Sequence, residues 1–285
     1  MDPAIRRISP ACGAEVLGLD LAHPIGDNVF HELRQAWLDA DGVLVLRDQV
    51  ITPRQHIEFS RRFGELSVGR PGAMLSDYYL PGHPEIYRVS NKKIDGVSQG
   101  REDAGTYWHS DGSWKELPPM ASLLYALEIP PVGGNTMFAD MYRAYELLSE
   151  PMKRILDGVQ AVHDRAAAAS TSYGKEFTGQ GQELSRQKAT HPVVRTHPES
   201  GRKALYINRG FTSHLVGFKP AESDAILKFL FEHTTAPEIV YRHEWRLHDI
   251  VVWDNRCVMH YAVSDYKAAG DRYMHRTTVE GDKPR

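Results

Sequence analysis

The punctuation of this sequence limits its fold more than any other feature. From residue 85 onward, short apolar runs of strand length are repeatedly interrupted by Gly and Pro, as at Pro118-Pro119, Gly133-Gly134 and Pro198-Glu-Ser-Gly201. Many short strands with such turn signals read as a sandwich or jelly roll. Strands are predicted at residues 85–90, 121–127, 135–139, 191–196, 203–208, 238–244, 249–253, 256–261 and 272–279. The first part of the chain differs, with an αβ lead-in: a strand at 14–21, a helix from Asn28 with Phe30, Leu33, Trp37 and Leu38 on one stripe, and an apolar strand at 42–47. A second helix follows, in which Thr52 suits the N-cap, Pro53 the first turn and Gln55 a capping box. Asp140 and Ser223 are predicted to cap two further helices, with Pro151 placed to kink or split the first. The expected class is mainly β with flanking helices, a double-stranded β-helix, with 1–285 as a single domain because 285 residues can bury one large core and no linker or repeat divides them.

Composition narrows the partners. Net charge is −3 and the basic residues are scattered, which argues against nucleic acid or an anionic membrane as a partner. The N-terminus lacks the apolar run of a secretory signal, and no segment reaches the length of a membrane span, so a cytoplasmic protein is expected. Cys12 and Cys257 are far apart without CxxC spacing and read as buried, unreactive residues. Residues 165–190 are rich in Ala, Ser, Thr, Gly and Gln and are expected to leave the core, either as a lid over an active site or as a solvated insertion.

Chemistry enters at Tyr107-Trp-His-Ser-Asp-Gly-Ser-Trp114. On an extended strand His109 and Asp111 would point to one face and could share a metal ion, although a lone His-x-Asp is weak evidence in a chain with 14 histidines. His260 stands on an apolar strand after the turn at Asp254-Asn255, where a satisfied core histidine is the commoner outcome. Arg272, Met274 and Arg276 alternate on the last strand, so two arginines share one face. That face is either a site for anions or an exposed strand carrying ordinary salt bridges.

Jointly these residues are more specific. His109-x-Asp111, His260 about 150 residues later and an arginine twelve residues beyond it, with Gly133-Gly-Asn-Thr136, Trp253-Asp-Asn-Arg256 and His275-Arg-Thr-Thr278, span nearly the whole chain. The pattern resembles the iron- and 2-oxoglutarate-dependent dioxygenases of the taurine dioxygenase and 2,4-dichlorophenoxyacetate dioxygenase family. The resemblance implies iron(II) held by His109, Asp111 and His260, with 2-oxoglutarate and O2 as cosubstrates. It also implies Arg272 and Thr136 on the far carboxylate of 2-oxoglutarate, with Trp253 walling that pocket. Arg276 is implied on the anionic group of a small organic substrate, Phe211 and Gly112 beside that substrate, and a homo-oligomer as the working form. The implied reaction hydroxylates an sp3 carbon and releases succinate and CO2.

The chain departs from the taurine pattern at Met74, Gly105, Gly112 and Ala168-Ala169. Each change removes bulk or a polar contact, so an alkyl sulfonate, sulfate ester or aryloxyalkanoate is expected rather than taurine. Two other classes fit parts of the pattern: a mononuclear zinc hydrolase, and a non-catalytic jelly-roll binding protein.

Overall fold

The structure, a computed structural model, describes residues 3–69, 76–166 and 187–285. Its main feature is an eight-stranded sheet. In spatial order the strands are Ala4–Arg7, Ala14–Leu17, Val43–Leu46, Ile250–Asp254, Ala121–Glu128, Tyr273–Val279, His83–Ser90 and Tyr79–Leu80. A smaller sheet faces it, with Val240–His243 and Val258–Ala262 flanking Thr136–Asp140, and a further three-stranded sheet joins Lys188–Pro192, Gln160–Asp164 and Thr212–Leu215.

Two connections create the roll. Ala121–Glu128 lies in the large sheet, and the chain crosses through Gly133-Gly134 to Thr136–Asp140 in the small one. Ile250–Asp254 likewise crosses through the Asp254-Asn255 turn to Val258–Ala262. Asp254 holds that turn: its carboxylate accepts from Arg256 Nε at 2.8 Å and Nη2 at 2.7 Å, and from His197 Nε2 at 3.0 Å.

The alternation of strand side chains divides the core into two layers. Leu124, Val251, Trp253 and Met274 pack between the sheets with Phe138 and Met259. Their neighbours Leu123, Tyr125, Ile250 and Val252 point to the opposite face, where the helices Asp27–Asp39 and Pro53–Arg61 cover them with Leu33, Trp37 and Phe59, joined by Phe63 just past the second helix. Because both faces of its central strands are covered, Val43–Leu46 reads as an unbroken apolar run. The predicted capping box is present, with Gln55 N–H donating to Thr52 Oγ1 and Thr52 N–H donating to Gln55 Oε1.

Several local expectations are corrected. The first predicted strand ends at Leu17 and follows an edge strand, Ala4–Arg7, that has no apolar signature. Ser223 does not cap its helix: Pro220–His233 begins three residues earlier, and Ser223 Oγ is buried, accepting from Leu215 N–H. The predicted strand 191–196 is two strands in different sheets, Lys188–Pro192 and Val194–Thr196. Asp140 does cap its helix, which is split as Pro151 allowed, into Met141–Glu146 and Glu150–Leu156, with Ser149 capping the second part. Met74, Ala168, Ala169 and most of the predicted lid at 165–190 lie outside the described residues. Among the described residues no helix is long and apolar enough to cross a membrane. Cys12 and Cys257 are free and buried.

Candidate active site

His109 and His260 meet through an isolated antiparallel bridge, each backbone N–H donating to the other's carbonyl at 3.1 and 2.8 Å. This corrects the expected strand geometry. His109 is the only bridged residue of its segment, and Asp111 opens a turn that swings its carboxylate back towards the histidines. Gly112, at φ +60°, makes that turn, and a Cβ there would strike Pro119 Cδ at 2.7 Å. Its missing side chain is therefore explained by the turn and by Pro119, and not by space for a substrate.

The ligand atoms of His109, Asp111 and His260 all lie within 4.8 Å of one another. His109 Nε2 is 3.5 Å and His260 Nε2 is 3.9 Å from Asp111 Oδ1, too far for good hydrogen bonds and spaced for an ion to sit among them. His109 Nδ1–H donates to the Tyr107 carbonyl at 2.8 Å, which leaves the Nε2 lone pair facing inward. Burial, together with the neighbouring His109, pushes the His260 pKa well below its ordinary value, so it is a neutral donor. Burial alone would raise the Asp111 carboxyl, but Arg276, His260 and His109 outweigh it and hold it well below the usual carboxylate range. Two imidazoles and one carboxylate gathered beside a cavity are a donor set suited to a ferrous ion with open positions.

A second buried group, His197, Asp254 and Cys257, has comparable spacing and serves as a contrast. His197 Nδ1 accepts the backbone N–H groups of Glu199 and Ser200 at 3.3 and 3.1 Å, so its Nε2 carries the proton given to Asp254. Asp254 is also engaged by Arg256, and burial raises the Cys257 thiol pKa. No lone pair on that histidine is left for a metal.

One cavity runs from His109 and His260, past Trp253 and Thr136, to Arg272 and Arg276. Arg272 is 3 % exposed, and its Nε and Nη2 have no hydrogen-bond partner among the described residues. Burial lowers its pKa, partly opposed by Tyr266. The Trp245 ring lies 5.7 Å from the guanidinium, and Trp245 Nε1 donates to Thr136 Oγ1 at 3.0 Å, so the Thr136 hydroxyl proton is free to donate elsewhere. A buried cation with unmet donors beside a hydroxyl fits a carboxylate ligand, and a zinc hydrolase would have no use for it. The alternative of an exposed strand face is thereby excluded for Arg272.

The other predicted residues are near the same centre. Trp253 lies 4.7 Å, ring to ring, from His260. Phe211 lies 6.1 Å from His109 but is 2 % exposed, packed by Trp114 at 4.3 Å. Arg276 Nη1 reaches Asp111 Oδ1 at 3.3 Å, with its guanidinium 5.2 Å from the Tyr87 ring. Sequence reasoning missed Ser122, Asn255 and Trp245, which bond to the predicted residues, and the close approach of Gly105. A Cβ on Gly105, at φ +77°, would meet His109 Cε1 at 2.7 Å.

Residues 4–278 match the family model described as "Taurine catabolism dioxygenase TauD, TfdA family". The chain belongs to this family. It is 35 % identical over 289 residues to an alpha-ketoglutarate-dependent 2,4-dichlorophenoxyacetate dioxygenase of Cupriavidus pinatubonensis, covering 96 % of each chain. It is 31 % identical to an alpha-ketoglutarate-dependent sulfate ester dioxygenase of Pseudomonas putida, covering 98 % of this chain and 90 % of that one. A crystal structure described as a putative alpha-ketoglutarate-dependent taurine dioxygenase from Burkholderia xenovorans superposes with TM-score 0.83 at 33 % identity, covering 99 % of this chain and 91 % of the other. The protein is thus an alpha-ketoglutarate-dependent dioxygenase of double-stranded β-helix fold, whose family uses iron(II), 2-oxoglutarate and O2.

Proposed function

We propose that this TauD/TfdA-family enzyme hydroxylates an sp3 carbon of a small anionic organic substrate, with iron(II) held by His109, Asp111 and His260. The observation that carries the reading is the pairing of that donor set with Arg272, whose buried donors lack partners in the same cavity. Bound iron(II), with 2-oxoglutarate and O2, supplies the oxidation that releases succinate and CO2 and places one oxygen atom on the substrate carbon. The protein's own work is positioning. Arg272 and Thr136 take the far carboxylate of 2-oxoglutarate and so fix the cosubstrate's orientation. Trp253 walls the pocket against water. Arg276, placed between Asp111 and the cavity, binds the substrate's anionic group, and Phe211 backs the ring wall beside His109.

A planar carboxylate and a tetrahedral sulfate each present a pair of oxygens that a guanidinium fork can grip, and the substrates in the names of two relatives, 2,4-dichlorophenoxyacetate and sulfate esters, carry these groups. A Cβ at position 105 would strike His109, so packing accounts for that glycine as it does for Gly112, and the preference for a substrate bulkier than taurine is supported by the relatives named for 2,4-dichlorophenoxyacetate and for sulfate esters. The test is succinate release over a panel of aryloxyalkanoates, alkyl sulfonates, sulfate esters and taurine. The reading expects turnover of a larger anion, and turnover of taurine alone would refute it.

A further inference from the structure

The two oxygens of Asp111 have different surroundings. Oδ1 faces the two histidines, whereas Oδ2 accepts a hydrogen bond from Ser122 Oγ at 2.7 Å. Ser122 sits within the Ala121–Glu128 strand, opposite Trp253 and fully buried. Its flanking residues Ala121, Leu123 and Leu124 are apolar core. Asn255 completes the arrangement. Its Oδ1 accepts Asp111 N–H at 3.3 Å and Trp253 Nε1–H at 3.1 Å, and its Nδ2 donates to Ser122 Oγ at 3.3 Å. Two N–H donors converging on one atom of the Asn255 amide identify that atom as oxygen. The other atom is therefore NH2, and Ser122, already accepting from it, must spend its own proton on Asp111 Oδ2.

We propose that Ser122 is a positioning residue that keeps Asp111 Oδ1 facing His109 and His260 as a metal ligand, with Asn255 fixing the direction of the hydrogen bond. The proposal rests on the metal site assigned above to His109, Asp111 and His260. A carboxylate released from Ser122 would be free to rotate, so Oδ1 would no longer be held facing the two histidines and metal binding would lose that preorganisation. Arg276 cannot replace this restraint, because its contacts with Oδ1 and Oδ2 are longer, at 3.3 and 3.5 Å.

The test needs no turnover. Mn(II) is titrated into metal-free wild type, Ser122→Ala, Ser122→Thr and Ser60→Ala, and the free ion is followed by its EPR signal. Ser60 is the control: its hydroxyl bonds Thr277 Oγ1 at 2.7 Å, equally buried and without contact to Asp111. Ser122→Ala is expected to weaken Mn(II) binding about 10- to 100-fold, the usual loss when a partner of a metal ligand is removed. Ser122→Thr, which keeps the hydroxyl, should bind more tightly than Ser122→Ala, and Ser60→Ala should match wild type. Unchanged affinity in folded Ser122→Ala, or equal losses in Ser122→Ala and Ser60→Ala, overturns the proposal. If Ser122→Ala does not fold, Ser122→Cys, which offers only a weak donor, is read in the same way. Wild type that binds no Mn(II) would instead overturn the metal site itself.

Discussion

Replacing Arg272 with Met should move cosubstrate affinity and protein stability in opposite directions. Two guanidinium nitrogens, Nε and Nη2, are buried without partners, so the free protein carries a desolvated cation that nothing neutralises directly. A bound carboxylate would meet both. At about 1.5–3 kcal/mol per charge-assisted hydrogen bond, losing them costs about 3–6 kcal/mol, or about a hundredfold to ten-thousandfold in Kd for 2-oxoglutarate. Arg272→Met keeps most of the volume and removes the unpaired charge, so the cosubstrate-free protein should melt higher, by about 2 °C for each kcal/mol relieved. The assay is calorimetric titration of 2-oxoglutarate into anaerobic Mn(II)-loaded protein, with thermal melts of the same samples. A lower melting temperature with unchanged 2-oxoglutarate affinity would refute the assignment of Arg272 as the cosubstrate's anchor.

Gly105→Ala places a methyl 2.7 Å from His109 Cε1 at a left-handed backbone position. The conformational cost is about 1–2 kcal/mol, read in urea melts, and displacement of the imidazole should weaken Mn(II) binding at least about tenfold. Unchanged metal affinity would show that the ring has not moved. His56 is buried, with its pKa lowered to about 3 by desolvation and by His275. Since its native pKa lies below its unfolded value, the group takes up its proton only on unfolding. Its contribution is therefore fully present above about pH 6.5 and is lost as pH falls, by about 1.4 kcal/mol per pH unit. His56→Leu should flatten the stability profile between about pH 6 and pH 4 by that slope, and an unaltered slope in urea titrations would contradict the shift.

Which residues gather at the candidate site was legible in the sequence, because the signal lies in residue types. His109, Asp111, His260, Thr136 and Arg272 each carry a group whose function survives uncertainty about backbone geometry. How they are held was less visible. The spacing of His109 and Asp111 suggested a strand, but a one-residue bridge and a turn bring them together, and a His-x-Asp pair is compatible with both. Gly112 and Gly105 look alike in sequence. Only their neighbours separate a glycine required by Pro119 from one lying against the His109 ring. Ser122 gave no signal, since a small residue inside an apolar strand is unremarkable until its partner, eleven positions away, is known. The helix start at Pro220 was misplaced because Ser223 has the right chemistry for a cap but spends it on Leu215 N–H.

The most direct measurement of the central claim is an anaerobic titration of the protein with iron(II) and 2-oxoglutarate, followed by visible absorption. If His109, Asp111 and His260 hold iron beside the cavity that Arg272 lines, a metal-to-ligand charge-transfer band should develop and saturate at one iron per chain. It should be missing from His260→Ala and require far more 2-oxoglutarate in Arg272→Met. Folded wild-type protein that gives no band, or a His260→Ala variant that keeps it, would contradict the account.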